Sequence, residues 1–338
     1  MILRQAAGSS SSLSYQLHHS FAELIPLYDA FILDQFGVLH NGATALDGAV
    51  DCLNELYQNQ KKLIILSNTS GPAKSALEKL PKYGFDRNHF LGAVTSGEEA
   101  SKYIKKVYGS CQSTEKAPPK ALWLTWDASG NTGGTTNLPN PNDFLSKCGN
   151  IQVADTVDEA DFVLCHGAHV WQRSEAKSVV SLGSFLTTGS TEEVIDPILE
   201  ECKERDLPMV CANPDLVVKL PSGETGHMPG KIAKRYQELG GKCTSFGKPH
   251  KEHFVACLEA LEPIPRDRVC HVGDSLHHDI AGANAAGIAS AFITSGIHCD
   301  DLAQSTDSFG VLPHVDLIDA LLEKEGVVPT HILSAFRM

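Results

Sequence analysis

Ala30-Phe31-Ile32-Leu33-Asp34-Gln35-Phe36-Gly37-Val38-Leu39-His40-Asn41-Gly42 is the stretch from which the fold can be read. An apolar run short enough for a buried parallel strand stops at a carboxylate, and Gly37 lets the chain turn away from the sheet. Asp34 is thereby presented at a strand end, where open α/β sheets place their chemistry. An aspartate in such a place is more often a turn former or a helix cap than a nucleophile, so its meaning depends on the rest of the chain.

Outward from this stretch the pattern alternates helix with strand. Residues 47–62 carry Ala49, Val50, Leu53, Leu56 and Tyr57 at helical spacing, with Lys61 and Lys62 at the end where the helix dipole favours cations. Leu63-Ile64-Ile65-Leu66 reads as a second buried strand and runs into Ser67-Asn68-Thr69-Ser70-Gly71-Pro72. A strand, a helix and a strand make a right-handed crossover, which puts Ser67 on the same sheet edge as Asp34. Read alone, residues 67–71 are equally a hydroxyl-rich loop capping a helix that starts near Ala73.

From Thr95 the character changes. Thr95-Ser96-Gly97-Glu98-Glu99 is a capped helix start, and strands are expected at 121–124, 161–165 and 207–212. Residues 126–142 are rich in Gly, Asn, Thr and Pro without periodicity, a length of loop that is usually functional or mobile; it is the candidate for an element that selects substrate. Residues 96–226 therefore read as an α/β unit inserted into a first domain. That domain resumes at 227 with a helix over 231–239 stopped by Gly240-Gly241, then Gly247-Lys248-Pro249-His250, and a helix over 252–261. A strand over 268–272 leads into Gly273-Asp274-Ser275-Leu276-His277-His278-Asp279, and a small-residue helix ends at Gly287 before a strand over 289–293. The expected division is a tail over 1–20 that need not be ordered, a core over 21–95, the insertion over 96–226 and the rest of the core over 227–338.

The 338 residues are 42% hydrophobic and 20% charged, ordinary for a globular protein large enough for two domains. A formal net charge of -13 argues against nucleic acid or an anionic membrane surface as the main partner. Ten cysteines without a C-x-x-C pair fit reduced thiols. No apolar run approaches the roughly 18 residues that cross a bilayer. The first twenty residues hold no acid and only Arg4, so the compartment expected is cytoplasmic, with an organelle as the alternative if this Ser-rich start is a transit peptide. The histidine pairs His166 and His169, His250 and His253, and His277 and His278 repeat no zinc spacing.

One parallel sheet would gather Asp34, Ser67, Asn68, Lys248, Asp274 and Asp279 at a single edge. Several carboxylates in a small volume need a counter-charge, and a hard divalent cation such as Mg²⁺ supplies it through oxygen ligands. Hydroxyl, amide and ammonium groups complement a phosphoryl group, so the chemistry inferred is phosphoryl transfer through an aspartyl-phosphate.

This ordered set resembles the haloacid dehalogenase-like hydrolase superfamily, in the IIA subclass with a C2 α/β cap between its second and third motifs. Asp34 to Val38 match the first motif, Ser67-Asn68 the second, Gly247-Lys248-Pro249 the third and Gly273-Asp274 to Asp279 the fourth. Thr95-Ser96-Gly97, Asn213-Pro214-Asp215, Pro229-Gly230-Lys231 and Thr294-Ser295-Gly296 are further likenesses. The resemblance implies a Rossmann-like, doubly wound parallel-sheet core and a small phosphorylated metabolite as substrate. It implies Asp34 as nucleophile and metal ligand, Asp274 as metal ligand and Asp279 as a second acid near the metal. Ser67 and Asn68 become phosphate ligands, Lys248 steadies nucleophile and phosphate, and a cap-mediated homodimer is suggested.

One departure stands out. Phosphatases of this superfamily usually carry, two residues after the nucleophile, an aspartate that serves as general acid and base; here it is Phe36. The backbone carbonyl of Phe36 can still serve the metal, but its ring moves no proton, and general acid-base catalysis is typically worth about 10² to 10⁴ in rate. Three outcomes follow. The substrate has a good leaving group, or a neighbour such as His40 or a cap residue supplies the proton, or the protein is a catalytically impaired ligand-binding or regulatory member of the fold.

Overall fold

The strand Ala30–Leu33 is buried at all four positions and pairs in parallel with Lys62–Ser67 on one side and Val269–Gly273 on the other. Its side chains alternate between two cores. Phe31 and Leu33 join Leu53, Leu56 and Ile65, whereas Ala30 and Ile32 join Phe254, Leu258 and Ala283. A strand covered on both faces must be apolar throughout, which is why the sequence shows a run and not an alternation. Burying each large apolar side chain of this kind contributes about 1.5–3 kcal/mol.

The structure is a computed structural model that describes residues 2–3, 13–109, 117–127, 141–174, 179–219, 224–304 and 310–338. It divides into two units, the first of Met1–Ser67, Leu77–Val94 and Lys248–Met338, the second of Asn68–Ala76 and Thr95–Gly247.

The sheet of the first unit runs in the order Ile2–Leu3, Gln16–His18, His331–Leu333, Ala289–Ile293, Val269–Gly273, Ala30–Leu33, Lys62–Ser67, Phe90–Thr95. Neighbours from Gln16–His18 to Lys62–Ser67 are parallel. From Ala30–Leu33 the chain winds outward through Lys62–Ser67, and from Val269–Gly273 it winds the other way through Ala289–Ile293. The order therefore reverses between Ala30–Leu33 and Val269–Gly273, and the crevice beyond their carboxyl ends is where such a sheet binds ligands. Helices Ala49–Gln58 and Lys251–Ala260 supply the covering faces.

The second unit has its own sheet, in the order Val180–Ser181, Val170–Gln172, Lys120–Thr125, Phe162–Cys165, Met209–Cys211, Cys243–Ser245, with Gln152–Val153 beside Lys120–Thr125. Helices Ile195–Glu204 and Pro229–Glu238 pack into one apolar cluster against it and Ser96–Val107 into another. Among the described residues no helix is long and apolar enough to cross a membrane.

Two expectations differ from what is observed, and a third falls on residues that are not described. The second unit extends to Gly247 and not to 226, because Pro229–Glu238 covers its sheet and Cys243–Ser245 pairs with Met209–Cys211. Residues inside the presumed tail are ordered: Gln16–His18 pairs with His331–Leu333, and Leu13, Tyr15 and Leu17 pack on an apolar cluster there. Of the loop over 126–142, residues 128–140 lie outside the described residues, so the selecting role suggested for it stays an expectation.

Candidate active site at the carboxyl edge of the first sheet

The first unit brings Asp34, Lys248, Asp274 and Asp279 together. Asp34 follows its strand directly, held by its N–H to the Val272 carbonyl at 2.9 Å. Lys248 is 2% exposed, with Nζ 2.7 Å from Asp34 Oδ1 and 2.8 Å from Asp279 Oδ1. One oxygen from each of Asp34, Asp274 and Asp279 lies within 4.8 Å of the others, and all three residues are buried.

The three carboxylates are not equivalent. Asp279 Oδ1 also accepts from His271 Nε2 at 2.7 Å, and Oδ2 accepts the Ser275 N–H at 3.0 Å. Burial opposes its charge, but Lys248 and His271 outweigh burial and hold the Asp279 carboxyl well below the usual range. Asp34 moves the other way. Burial dominates, Lys248 pulls down and Asp279 pushes up, leaving it at about 7. Burial and the neighbouring Asp34 and Asp279 charges push Asp274 well above its ordinary value, against one N–H from Ile297 at 2.8 Å. Burial opposes the Lys248 ammonium, and the two carboxylates beside it more than restore its charge.

Three carboxylates against one ammonium leave the site short of positive charge. Asp34 and Asp274 carry that shortage, since Asp279 is already committed to Lys248, His271 and Ser275. An all-oxygen set of this kind fits a hard divalent cation. Gly37 belongs to the same fit: its φ is +79°, and a Cβ there would overlap the Asp274 carboxylate. Gly296 approaches Asp274 as closely, and Gly273 does so to Asp279.

Ser67 ends the adjacent strand and is buried at the same edge. Asn68, the next residue, belongs to the second unit, where its Nδ2 donates to Asp215 Oδ1 at 2.7 Å. Gly247 there has φ +113°, and a Cβ would run into the Asn68 side chain, so the turn before Lys248 requires glycine.

Phe36 and His40 form the loop after Asp34. The Phe36 ring is partly buried and meets the His40 ring edge-on at 5.7 Å, and His40 stacks on Tyr83 at 4.2 Å. His40 Nδ1 accepts the Gly42 N–H at 3.1 Å. Burial, with help from Lys79, pulls His40 down to about 4, so at neutral pH it has no imidazolium proton to deliver. His271 was missed by the sequence reading. Its signal was a lone polar side chain inside Val269-Cys270-His271-Val272, a strand otherwise buried and apolar.

Two stretches match family models, residues 31–116 a haloacid dehalogenase-like hydrolase model and residues 245–320 a haloacid dehalogenase hydrolase-like one. Among curated proteins, a Caenorhabditis elegans protein with a NipSnap name is 25% identical over 84% of this chain; the match spans only 51% of that relative's length. The 4-nitrophenylphosphatase of Schizosaccharomyces pombe is 21% identical, over 93% of this chain and 94% of that one. The fold is shared with a haloacid dehalogenase-like hydrolase of Brucella suis, at TM-score 0.66 and 22% identity over 94% of this chain and 98% of that one. It is also shared with the glycerol phosphate phosphatase of Mycobacterium tuberculosis in complex with magnesium, at TM-score 0.53 and 19% identity over 84% and 73% of the two chains.

Proposed function

Since the chain belongs to the haloacid dehalogenase-like hydrolases, we propose that it is a Mg²⁺-dependent phosphohydrolase of small phosphorylated metabolites with Asp34 as nucleophile. The observation that carries this reading is the buried ammonium of Lys248 between Asp34 and Asp279, with Asp274 in the same cluster. Asp34 Oδ attacks phosphorus, the ester oxygen leaves, and water then cleaves the aspartyl-phosphate to return the carboxylate and release inorganic phosphate. A divalent cation, held by Asp34 and Asp274 with the Phe36 carbonyl, would neutralise the phosphoryl oxygens. Lys248 orients Asp34 and favours its charged form, Asp279 and His271 fix Lys248, and Ser67 offers a hydroxyl donor to the phosphoryl group.

Phe36 sets the limit on this chemistry. With no carboxyl there to protonate the departing oxygen, the reading favours substrates whose leaving group departs as an anion, acyl and aryl phosphates above alkyl ones. The test is Mg²⁺-dependent phosphate release across a panel of leaving-group pKa, for the wild type, Asp34→Asn and Phe36→Asp. Release confined to good leaving groups, abolished in Asp34→Asn, is expected. Phe36→Asp should raise turnover of alkyl phosphates by about 10² or more while changing aryl phosphates little. If no substrate gives release that depends on Asp34, the protein is instead the ligand-binding member of its fold that Phe36 also suits.

A further inference from the structure

A cleft of about 520 Å³ lies wholly within the second unit. Its walls are the hairpin of Val217–Lys219 and Thr225–His227, the helix Pro229–Glu238, and the turn from Gly189 into the helix Ile195–Glu204. The charges lining it fall into two groups. Arg235 binds Asp196 through hydrogen bonds of 3.0 and 2.9 Å and reaches Glu238 at 3.7 Å, so these three are spent on one another.

Lys231 is different. It lines the same cleft and is partly buried, yet among the described residues it makes no ion pair. Its Nζ lies instead 3.4 Å from Nδ1 of His227. An ammonium donating to Nδ1 leaves the imidazole proton on Nε2, so both groups present donors and neither presents an acceptor. Gly189, at φ +68°, brings bare backbone against this pair, and a Cβ there would overlap both Lys231 Nζ and the His227 ring. Once Arg235, Asp196 and Glu238 are set aside, the described residues of the cleft leave two lysines, Lys231 and Lys234, against one acid, Glu192. Leu216 and Val217 give it an apolar side, Val217 being 36% exposed.

We propose that this cleft binds a small organic anion, its carboxylate or phosphate group held by Lys231 and His227 and its apolar part against Leu216 and Val217. The site stands on the second unit alone and does not depend on the reading of Asp34. Burial and the Lys231 ammonium hold His227 below its ordinary pKa. A bound anion reverses that field and raises it, so His227 reports occupancy from within the cleft.

The experiment is an NMR titration of the histidine ring signals in the full chain, with inorganic phosphate and then butyrate, at ionic strength held constant with chloride. The expected result is a saturable shift of the His227 signals and a rise of its pKa, the same in Asp34→Asn. Lys231→Arg should keep the effect, and Lys231→Met should weaken affinity by about tenfold or more, the scale of one charge-assisted hydrogen bond. An unsaturable response, the same response to chloride alone, or undiminished affinity in a folded Lys231→Met would overturn the site. If Lys231→Met fails to fold, loss of the effect in Lys234→Met with retention in Lys231→Gln would also overturn the assignment to Lys231.

Discussion

An ammonium that is 2% exposed is tolerated only where carboxylates stand on it, and Lys248 has two, at 2.7 and 2.8 Å. Removing it strands Asp34 and Asp279 as buried acids with no cation of the protein's own. Breaking a buried pair in this way costs about 3–5 kcal/mol. Lys248→Met should therefore lose about that much stability in urea unfolding, beyond losing activity; a loss under 1 kcal/mol would mean that the carboxylates find other partners. Asp34, Lys248, Asp274 and Asp279 were legible in the sequence because each sits just past an apolar run or just before a helix. His271 was not, since a histidine inside a strand is more often plain core, and only its hydrogen bond to Asp279 shows otherwise.

At the scale of elements, the edge of the first sheet is tied by a chain of hydrogen bonds that no spacing announces. Glu23 Oε2 meets His18 Nδ1 at 3.1 Å, His18 Nε2 meets His331 Nδ1 at 3.0 Å, and His331 Nε2 meets the Tyr28 hydroxyl at 2.6 Å. The carboxylate can only accept, so the consistent set has His18 donating to Glu23, His331 donating to His18 and Tyr28 donating to His331. An added proton breaks one of these links. Burial, reinforced by His18, pulls His331 down to about 4. A base with a depressed folded pKa is neutral in the native state while the unfolded chain takes up a proton, near pH 6.5. Its contribution to stability is whole above that value and falls away as pH drops from about 6.5 through about 4. Urea midpoints measured across this range should decline in the wild type and decline less in His331→Gln; equal slopes would remove His331 from the account. The strands at the centre of this sheet were readable as apolar runs. Gln16–His18 and His331–Leu333 were not, because three residues carry too little periodicity and their pairing is long-range.

For the whole molecule, the alternation of strand and helix before 95 and after 250 was enough to read a doubly wound sheet and an insertion, and the insertion's far boundary was misplaced. Helix Pro229–Glu238 is amphipathic whichever sheet it covers, so its period says nothing about which unit owns it. The proposed metal site bears on global stability too. In the metal-free protein the raised Asp34 costs stability as pH rises from the ordinary carboxylate range through about 7, because the native state holds that proton more tightly than the unfolded chain. Mg²⁺ should therefore raise the melting temperature more at pH 8 than at pH 6, by mass action on the native state, and the rise should vanish in Asp274→Asn. A Mg²⁺ effect that survives Asp274→Asn would place the ion elsewhere. The most direct measurement of all is acid-quenched mass spectrometry of the protein mixed with 4-nitrophenyl phosphate and Mg²⁺, with peptide mapping of any bound phosphate. Phosphate on the peptide containing Asp34, formed with a burst of nitrophenol and absent in Asp34→Asn, is the result expected from a nucleophile without a partner acid. Turnover with no phosphate ever trapped on Asp34, or trapping undiminished in Asp34→Asn, would contradict it.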